Sequence, residues 1–304
     1  MYFDSYDFII IGGGVGGCHT AMKLKDKYPN KKILLIEKSN RIGGRLLSIE
    51  TKDGKIEAGG ARFSNHHKLL NKLIDELGIS KKKNKIGSDT EFISTDKNFS
   101  YDNLPFNKVE DLMRDLVKRT KNFPVSTIKK HSLTSFCDKI YGEKVTKFLI
   151  DAFPYYARIH YMNLYDCLRA INDYIDYKRQ FYSLSGGLQQ VPLECAKRFK
   201  KKGGRILLET TLIDIVGKSV FLKNKSGKLM EIHGDKIIVA IPQEFLKQIP
   251  LFNKTQKIKT LVNSVKPYEL MRIYAKYPIN EKTKKVWFHD LPRKVTTNNK
   301  IKFI

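Results

Sequence analysis

The chain has 304 residues, 41% of them hydrophobic, which suits a folded protein with a large buried core in one domain or two interleaved ones. Its net charge of +26 raises the question of a nucleic-acid partner, but only 12 of the 57 basic residues are Arg. The lysines are scattered, with short clusters at Lys81–Lys83, Lys200–Lys202 and Lys282–Lys285, and no Arg–aromatic stripe accompanies them. A solvated lysine surface is expected, not specific nucleic-acid recognition.

Elements read in chain order begin with Phe8-Ile9-Ile10-Ile11, a continuous apolar run as expected of a strand buried on both faces. Gly12-Gly13-Gly14-Val15-Gly16-Gly17 follows, then a helix over Cys18–Lys27 and a second buried strand, Ile33–Ile36, closing on Glu37. Strand, glycine turn, helix and strand make a βαβ unit. A helix over Ser64–Leu77 is expected, capped by Ser64 or Asn65 and stopped by Gly78. The polar stretch from Ile79 to Phe106 reads as strands and loops. Helical periodicity returns over Val109–Arg119, Thr134–Phe148 and Leu164–Tyr174. Ser185-Gly186-Gly187 precedes a helix from Gln189 to Phe199. Strands are expected at Ile206–Leu208, Ile213–Val216, Val220–Leu222 and Ile237–Ile241, with turns near Gly227 and Gly234.

Chemistry concentrates at the first turn. In Gly12-x-Gly14-x-x-Gly17 the first glycine permits the tight turn, the second lets backbone approach a pyrophosphate, and the third brings helix and strand together. With Gly16 these residues place a diphosphate on the helix amino terminus, where free N–H groups and the dipole favour negative charge. Glu37, at the end of the second strand, is placed to accept hydrogen bonds from a ribose diol, and an acid there favours an unphosphorylated ribose. The turn alone does not separate NAD from FAD.

The segment Lys38-Ser39-Asn40-Arg41-Ile42-Gly43-Gly44-Arg45-Leu46-Leu47-Ser48 resembles the RxGGR extension of the flavin-containing amine oxidase superfamily, which includes monoamine, polyamine and L-amino-acid oxidases. The resemblance implies FAD, with Lys38, Arg41, Gly43, Gly44 and Arg45 among its contacts. Glu57-Ala58-Gly59-Gly60-Ala61-Arg62-Phe63 looks like the family's segment that passes the flavin, which adds Gly60, Ala61 and Arg62. In the L-amino-acid oxidase branch an Arg at the place of Arg62 holds the substrate carboxylate; a purely structural ion pair is the alternative. Ser185–Pro192 is similar to the family's GGxxxLP turn, and Thr211-Leu212-Ile213 resembles the strand that pairs with adenine through Leu212. Asp235–Pro242 looks like the strand returning to the sheet, with Ala240 and Pro242 near the cofactor.

Two departures from the family stand out. Arg272 occupies the position of the lysine that bonds a water near flavin N5, and a guanidinium cannot act as an adjustable base. No counterpart of the family's C-terminal flavin segment, with its cysteine for covalent attachment, occurs up to Ile304, so FAD is expected to be non-covalent.

The expected fold is α/β: a Rossmann-like FAD-binding domain (1–80 and 185–250) with an inserted mixed α+β substrate domain (81–184 and 251–304). The implied activity is hydride transfer from an amine or amino-acid-like donor to flavin N5, with reoxidation by O2. Arg62 and Arg272 are the candidates for groups at the reaction centre. The alternative is a truncated or split flavoprotein that binds FAD without independent catalysis, its site completed by a second chain. The aromatics Phe153, Tyr155, Tyr156, Tyr161, Tyr165 and Tyr174 belong either to a substrate cavity or to plain core.

His66-His67 has no spaced partner acid, so no metal is expected. No membrane span and no signal peptide are expected. Four separated cysteines without a CxxC pair point to the cytoplasm or another reducing compartment.

Overall fold

Apolar runs too continuous for a half-exposed strand become the centre of the molecule. In β1 (Ser5–Ile11) and β2 (Ile33–Ile36) successive side chains point to opposite faces, and both faces are covered. Ile10, Ile33 and Leu35 pack with Cys18, Ala21 and Met22 of α1 (Val15–Lys27), while Ile9, Ile11, Leu34 and Ile36 pack into a second cluster on the other side. Each such side chain, wholly removed from water, contributes roughly 1.5–3 kcal/mol of transfer free energy. A charge at any of these positions would destroy the sheet.

The computed structural model describes residues 4–52, 54–86, 100–153, 155–175, 178–265 and 267. They divide into two compact units, the first holding the described residues of 1–63, 67–84 and 182–269, the second those of 64–66 and 85–181. After β2 come the hairpin β3 (Ser48–Thr51) and β4 (Gly54–Glu57), then β5 (Phe63–Ser64), α2 (Lys68–Glu76) and β6 (Lys83–Ile86). Ser64 is buried in β5 and does not cap α2; that helix begins after His67 with no side-chain cap. The cap expected from sequence is therefore displaced by a strand.

The second unit is built on six helices among the described residues: α3 (Val109–Thr120), α4 (Val125–Ile128), α5 (Leu133–Tyr141), α6 (Glu143–Ala152), α7 (Tyr156–His160) and α8 (Leu164–Ile175). Ser132 and Ser135 form a reciprocal capping box at the start of α5. The helix expected over Thr134–Phe148 is broken at Gly142, whose φ of +76° ends α5 and opens α6. Leu112, Leu116, Phe136, Leu149, Phe153 and Ile171 form its core. Of the aromatics singled out above, Phe153 is core, Tyr155 and Tyr165 pack partly against it, and Tyr156 and Tyr161 are exposed.

The first unit resumes with β7 (Phe181–Leu184), α9 (Gln190–Lys201), β8 (Arg205–Leu207), β9 (Thr210–Val216), β10 (Ser219–Asn224) and β11 (Leu229–Val239). Its main sheet runs β8-β2-β1-β11-β10-β9. β8, β2, β1 and β11 are parallel, and β9 and β10 add antiparallel. α1 and α9 lie side by side on one face.

β11 is longer than its sequence pattern predicted. Residues up to His233 pair with β10, and those beyond pair with β1 in register Phe8↔Lys236 to Ile11↔Val239. Gly234, expected in a turn, lies inside this strand, because a Cβ there would come 2.7 Å from Ile9 Cδ1. The short α10 (Gln243–Leu246) and α11 (Gln256–Asn263) follow. Residues 251–263, expected with the inserted domain, fall in the first unit, where Leu251 N–H donates to Asp214 at 3.1 Å and Gln243 Nε2 to Val262 O at 2.5 Å.

Candidate cofactor site

The turn between β1 and α1 is shaped by contacts that only glycine permits. A Cβ on Gly17 would lie 1.9 Å from Gly12 O, and one on Gly12, at φ +112°, would lie 2.5 Å from Ala240 O. The first locks α1 against β1, and the second lets the end of β11 back the turn; Ala240 N–H also donates to Ile11 O at 2.8 Å. Gly14 and Gly16 differ. The nearest atom to a Cβ on Gly14 is Gly44 Cα at 3.9 Å, and a Cβ on Gly16 meets nothing within 4 Å. α1 has no side-chain cap and no acid in its first turn, so its amino terminus presents its dipole to open space.

Glu37 is buried at the end of β2. Its Oε2 accepts from Gly13 N–H at 2.6 Å, and its Oε1 accepts from Ser39 N–H and Oγ, both at 2.9 Å. A carboxylate has about four lone-pair positions, so one on Oε2 remains for a hydroxyl donor. The main chain on either side of Glu37 is clamped: Glu37 N–H donates to Leu207 O, Thr210 N–H to Glu37 O and Glu209 N–H to Ser39 O. That clamp carries β9, and with it Leu212, which sits opposite Leu222 of β10. Cys18 Sγ reaches Gly13 O at 3.4 Å, and burial, with the nearby Cys195 and Glu37 adding, pushes its thiol up to about 12. It braces the turn as a neutral donor.

The segment 41–47 meets this turn. Gly43 N–H donates to Gly13 O at 2.9 Å, and Gly14 and Gly43 form an isolated bridge. Every main-chain carbonyl from Ile42 to Leu47 has a protein donor: Gln189 Nε2 to Ile42, Leu46 N–H to Gly43, Arg41 Nη2 to Gly44, Gly60 N–H to Arg45, Arg41 Nη1 to Leu46 and Ala58 N–H to Leu47, while Arg41 O shares the single Ser39 Oγ proton with Glu37 Oε1. The N–H groups of Gly44 and Arg45 have no partner among the described residues, nor does the exposed Arg45 guanidinium. A loop whose acceptors are all engaged and whose donors stay open receives an anion. The residues fit a diphosphate linked to a ribose.

The sequence-predicted residues therefore separate. Gly12, Gly14, Gly16, Gly17, Glu37, Gly43, Gly44, Arg45 and Ala240 converge. Arg41 is nearby, but its guanidinium braces its own loop at 2.9 and 3.2 Å instead of standing open toward the turn. Gly60 supports Arg45 through its N–H, and Ala61 and half-buried Arg62 follow it toward β5. Lys38 is exposed, its ammonium 3.4 Å from the ring centre of Phe245 on α10, and Pro242 caps that helix. Arg272 lies outside the described residues. Sequence reasoning missed Cys18, Ser39, Thr210 and Gln189 as supports: Ser39 and Gln189 lie inside family-like segments but at positions the resemblance gives no role, Cys18 and Ser39 act on near neighbours, and Thr210 and Gln189 act across the fold.

Fold and site together define a dinucleotide-binding protein with a second anion-receptive loop beside its phosphate turn. The chain belongs to the flavin-containing amine oxidoreductase family, whose model matches residues 16–268, and its cofactor is FAD. It is 42% identical over 82 residues to achacin of Lissachatina fulica, covering 26% of this chain and 15% of that protein. To the probable flavin-containing monoamine oxidase A of Dictyostelium discoideum it is 36% identical over 74 residues, 24% of this chain and 16% of that one. Cyclohexylamine oxidase from Brevibacterium oxydans IH-35A shares the fold at TM-score 0.59 and 20% identity, over 80% of this chain and 59% of that chain. The chain thus covers about a sixth of the first two relatives' lengths and 59% of the third's, in each case under two thirds. Among the described residues no helix is long and apolar enough to cross a membrane.

Proposed function

We propose that this chain holds FAD non-covalently on the Gly12–Gly17 turn and the Gly43–Arg45 loop, and that the protein oxidises a small amine or amino-acid-like donor. The observation that carries the reading is the meeting of two glycine segments at Gly13–Gly14 and Gly43–Gly44, with buried Glu37 beneath. In this reading the α1 amino terminus receives the diphosphate, and Glu37 takes a ribose hydroxyl at its remaining acceptor position. Gly44 N–H and Arg45 add positive potential beside them. Leu212, Lys38, Gly60, Ala61, Ala240 and Pro242 line the rest of the cofactor's path, while Arg41 holds the loop. Arg62 is the candidate for binding a substrate carboxylate, and Arg272 for the flavin's surroundings. The first unit would then be the FAD domain and the helical second unit the substrate domain.

Bound FAD supplies a two-electron acceptor for a hydride from the carbon next to nitrogen, with dioxygen returning it to the oxidised form. Absorbance near 450 nm in the purified chain tests the cofactor, and anaerobic bleaching of that band by a panel of amines and amino acids tests the activity. A colourless chain that FAD does not reconstitute overturns the reading. A coloured chain that no donor bleaches overturns its oxidase half and leaves a flavoprotein without independent catalysis.

A further inference from the structure

The loop 41–47 has no regular secondary structure, and Gly43 and Gly44 sit at φ +139° and +56°. Each residue fixed in such a loop costs roughly 1–2 kcal/mol of backbone entropy. Most of its restraints are local: Arg41 bonds its own turn, and Ala58 and Gly60 come from the adjoining hairpin strand and its end. One restraint comes from 147 positions away. Gln189 Nε2 donates to Ile42 O at 2.7 Å, while Gln189 Oε1 accepts from Ser48 N–H at 3.0 Å.

One amide thus takes the carbonyl before the two glycines and the N–H after Leu47, clasping both ends of the loop. Only a side chain that donates and accepts at once does this; a carboxylate cannot donate, and an ammonium or guanidinium cannot accept. The clasp is itself held. Gln189 N–H reaches Ser48 Oγ at 3.4 Å, Ser48 Oγ donates to Glu57, and Glu57 Oε1 accepts from Leu188 N–H at 2.8 Å. Gly187, at φ +89°, lets the chain pass so closely that a Cβ would lie 2.1 Å from Ser48 Oγ.

Resting on the FAD reading above, we propose that Gln189 is a positioning residue for the cofactor: it presets loop 41–47 so that Gly44 N–H and Arg45 face the phosphate turn before FAD arrives. Preorganisation of this kind acts on affinity through the fraction of molecules whose loop is competent. Loss of both amide bonds lowers that fraction by roughly tenfold or more. The neighbouring Gln190 supplies the control: its Nε2 bonds Ser185 O at 2.7 Å and Gly187 O at 2.9 Å, its Oε1 accepts from Lys82 Nζ, and it does not reach the loop.

The test compares the full chain with Gln189→Met, Gln189→Glu and Gln190→Met, measuring FAD affinity by flavin fluorescence quenching, thermal midpoint, and amide exchange at residues 43–48 without FAD. Both Gln189 variants should bind FAD at least tenfold more weakly, and Gln189→Met, which loses the acceptor that Gln189→Glu keeps, should also exchange faster at Ser48, with Gln190→Met unchanged in both readouts. Gln189→Glu, which retains an acceptor for Ser48, carries the test if Gln189→Met fails to fold. An unsubstituted chain that binds FAD beside Gln189 variants within twofold of it overturns the positioning role alone. Equal weakening by Gln190→Met also overturns it, assigning the effect to the turn. An unsubstituted chain that never binds FAD overturns the underlying reading and this role with it.

Discussion

Replacing Gly14 and Gly17 separately by Ala splits cofactor binding from folding. At Gly14 the backbone has φ −76° and ψ −177°, which any residue adopts, and the nearest atom to the new Cβ is 3.9 Å away. Ala at a helix amino-terminal cap is poorer than Gly by ~0.5–1 kcal/mol. Reduced freedom of the unfolded chain returns about 0.4–1 kcal/mol, so Gly14→Ala should leave stability within ~1 kcal/mol. Its methyl, however, stands over the α1 amino terminus. Losing one or two charge-assisted hydrogen bonds there, at about 1.5–3 kcal/mol each, weakens FAD binding by roughly tenfold to several hundredfold or more.

Gly17→Ala behaves in the opposite way. Its Cβ would sit 1.9 Å from Gly12 O, a main-chain atom that cannot swing aside, so α1 must separate from β1. Overpacking of this kind costs about 1–3 kcal/mol and often more against backbone. Urea midpoints of the FAD-free variants and FAD titrations by fluorescence quenching check the pair. The reasoning is refuted if Gly14→Ala binds FAD as the parent does, or if Gly17→Ala is as stable as the parent.

Two other outcomes follow from local physics. Gly142→Ala places a residue with a Cβ at φ +76° and ψ −178°, where nothing lies within 4 Å, so the cost is backbone strain of about 1–3 kcal/mol without a clash; a thermal midpoint equal to the parent's would contradict it. Burial raises Cys18 and Cys167 to about 12 and Cys137 and Cys195 to about 11. The unfolded thiols lose their protons first, near pH ~8.5, so this contribution is complete below that pH and is lost as pH rises toward the folded values, by up to about 1.4 kcal/mol per thiol per pH unit. Urea midpoints from pH 8 to 10.5 should fall less steeply for Cys18→Ala than for the parent, and parallel curves would argue against a buried thiol.

What could be read from residues in order was whatever depends on near neighbours. Ile9–Ile11 and Ile33–Ile36 announce strands buried on both faces, because no polar residue interrupts them. The spacing Gly12, Gly14, Gly17 and Glu37 announces the phosphate turn, because its parts lie within one βαβ unit. Gly142 and Gly234 show the limit. Both are single glycines in patterned segments, and sequence alone does not say which needs its positive φ and which needs its missing side chain. The first breaks a helix, and the second makes room for Ile9 inside an unbroken strand.

The division of labour at the cofactor loop has the same origin. Arg41 and Arg45 look alike in sequence, four positions apart around two glycines. Only the folded backbone turns the Gly44 and Leu46 carbonyls toward Arg41, spending that guanidinium on the loop and leaving Arg45 open. Thr210 carries no local signal, and the turn around Gln189 is legible only as a turn, since their partners at Ile42, Ser48 and Glu37 are brought to them by the sheet and by α9. Sequence by itself determined a βαβ unit, its diphosphate turn and its resemblance to flavin enzymes, because local spacing encodes them. Tertiary structure alone decided which donors remain open and what holds them there, because a hydrogen bond is set by distance in space.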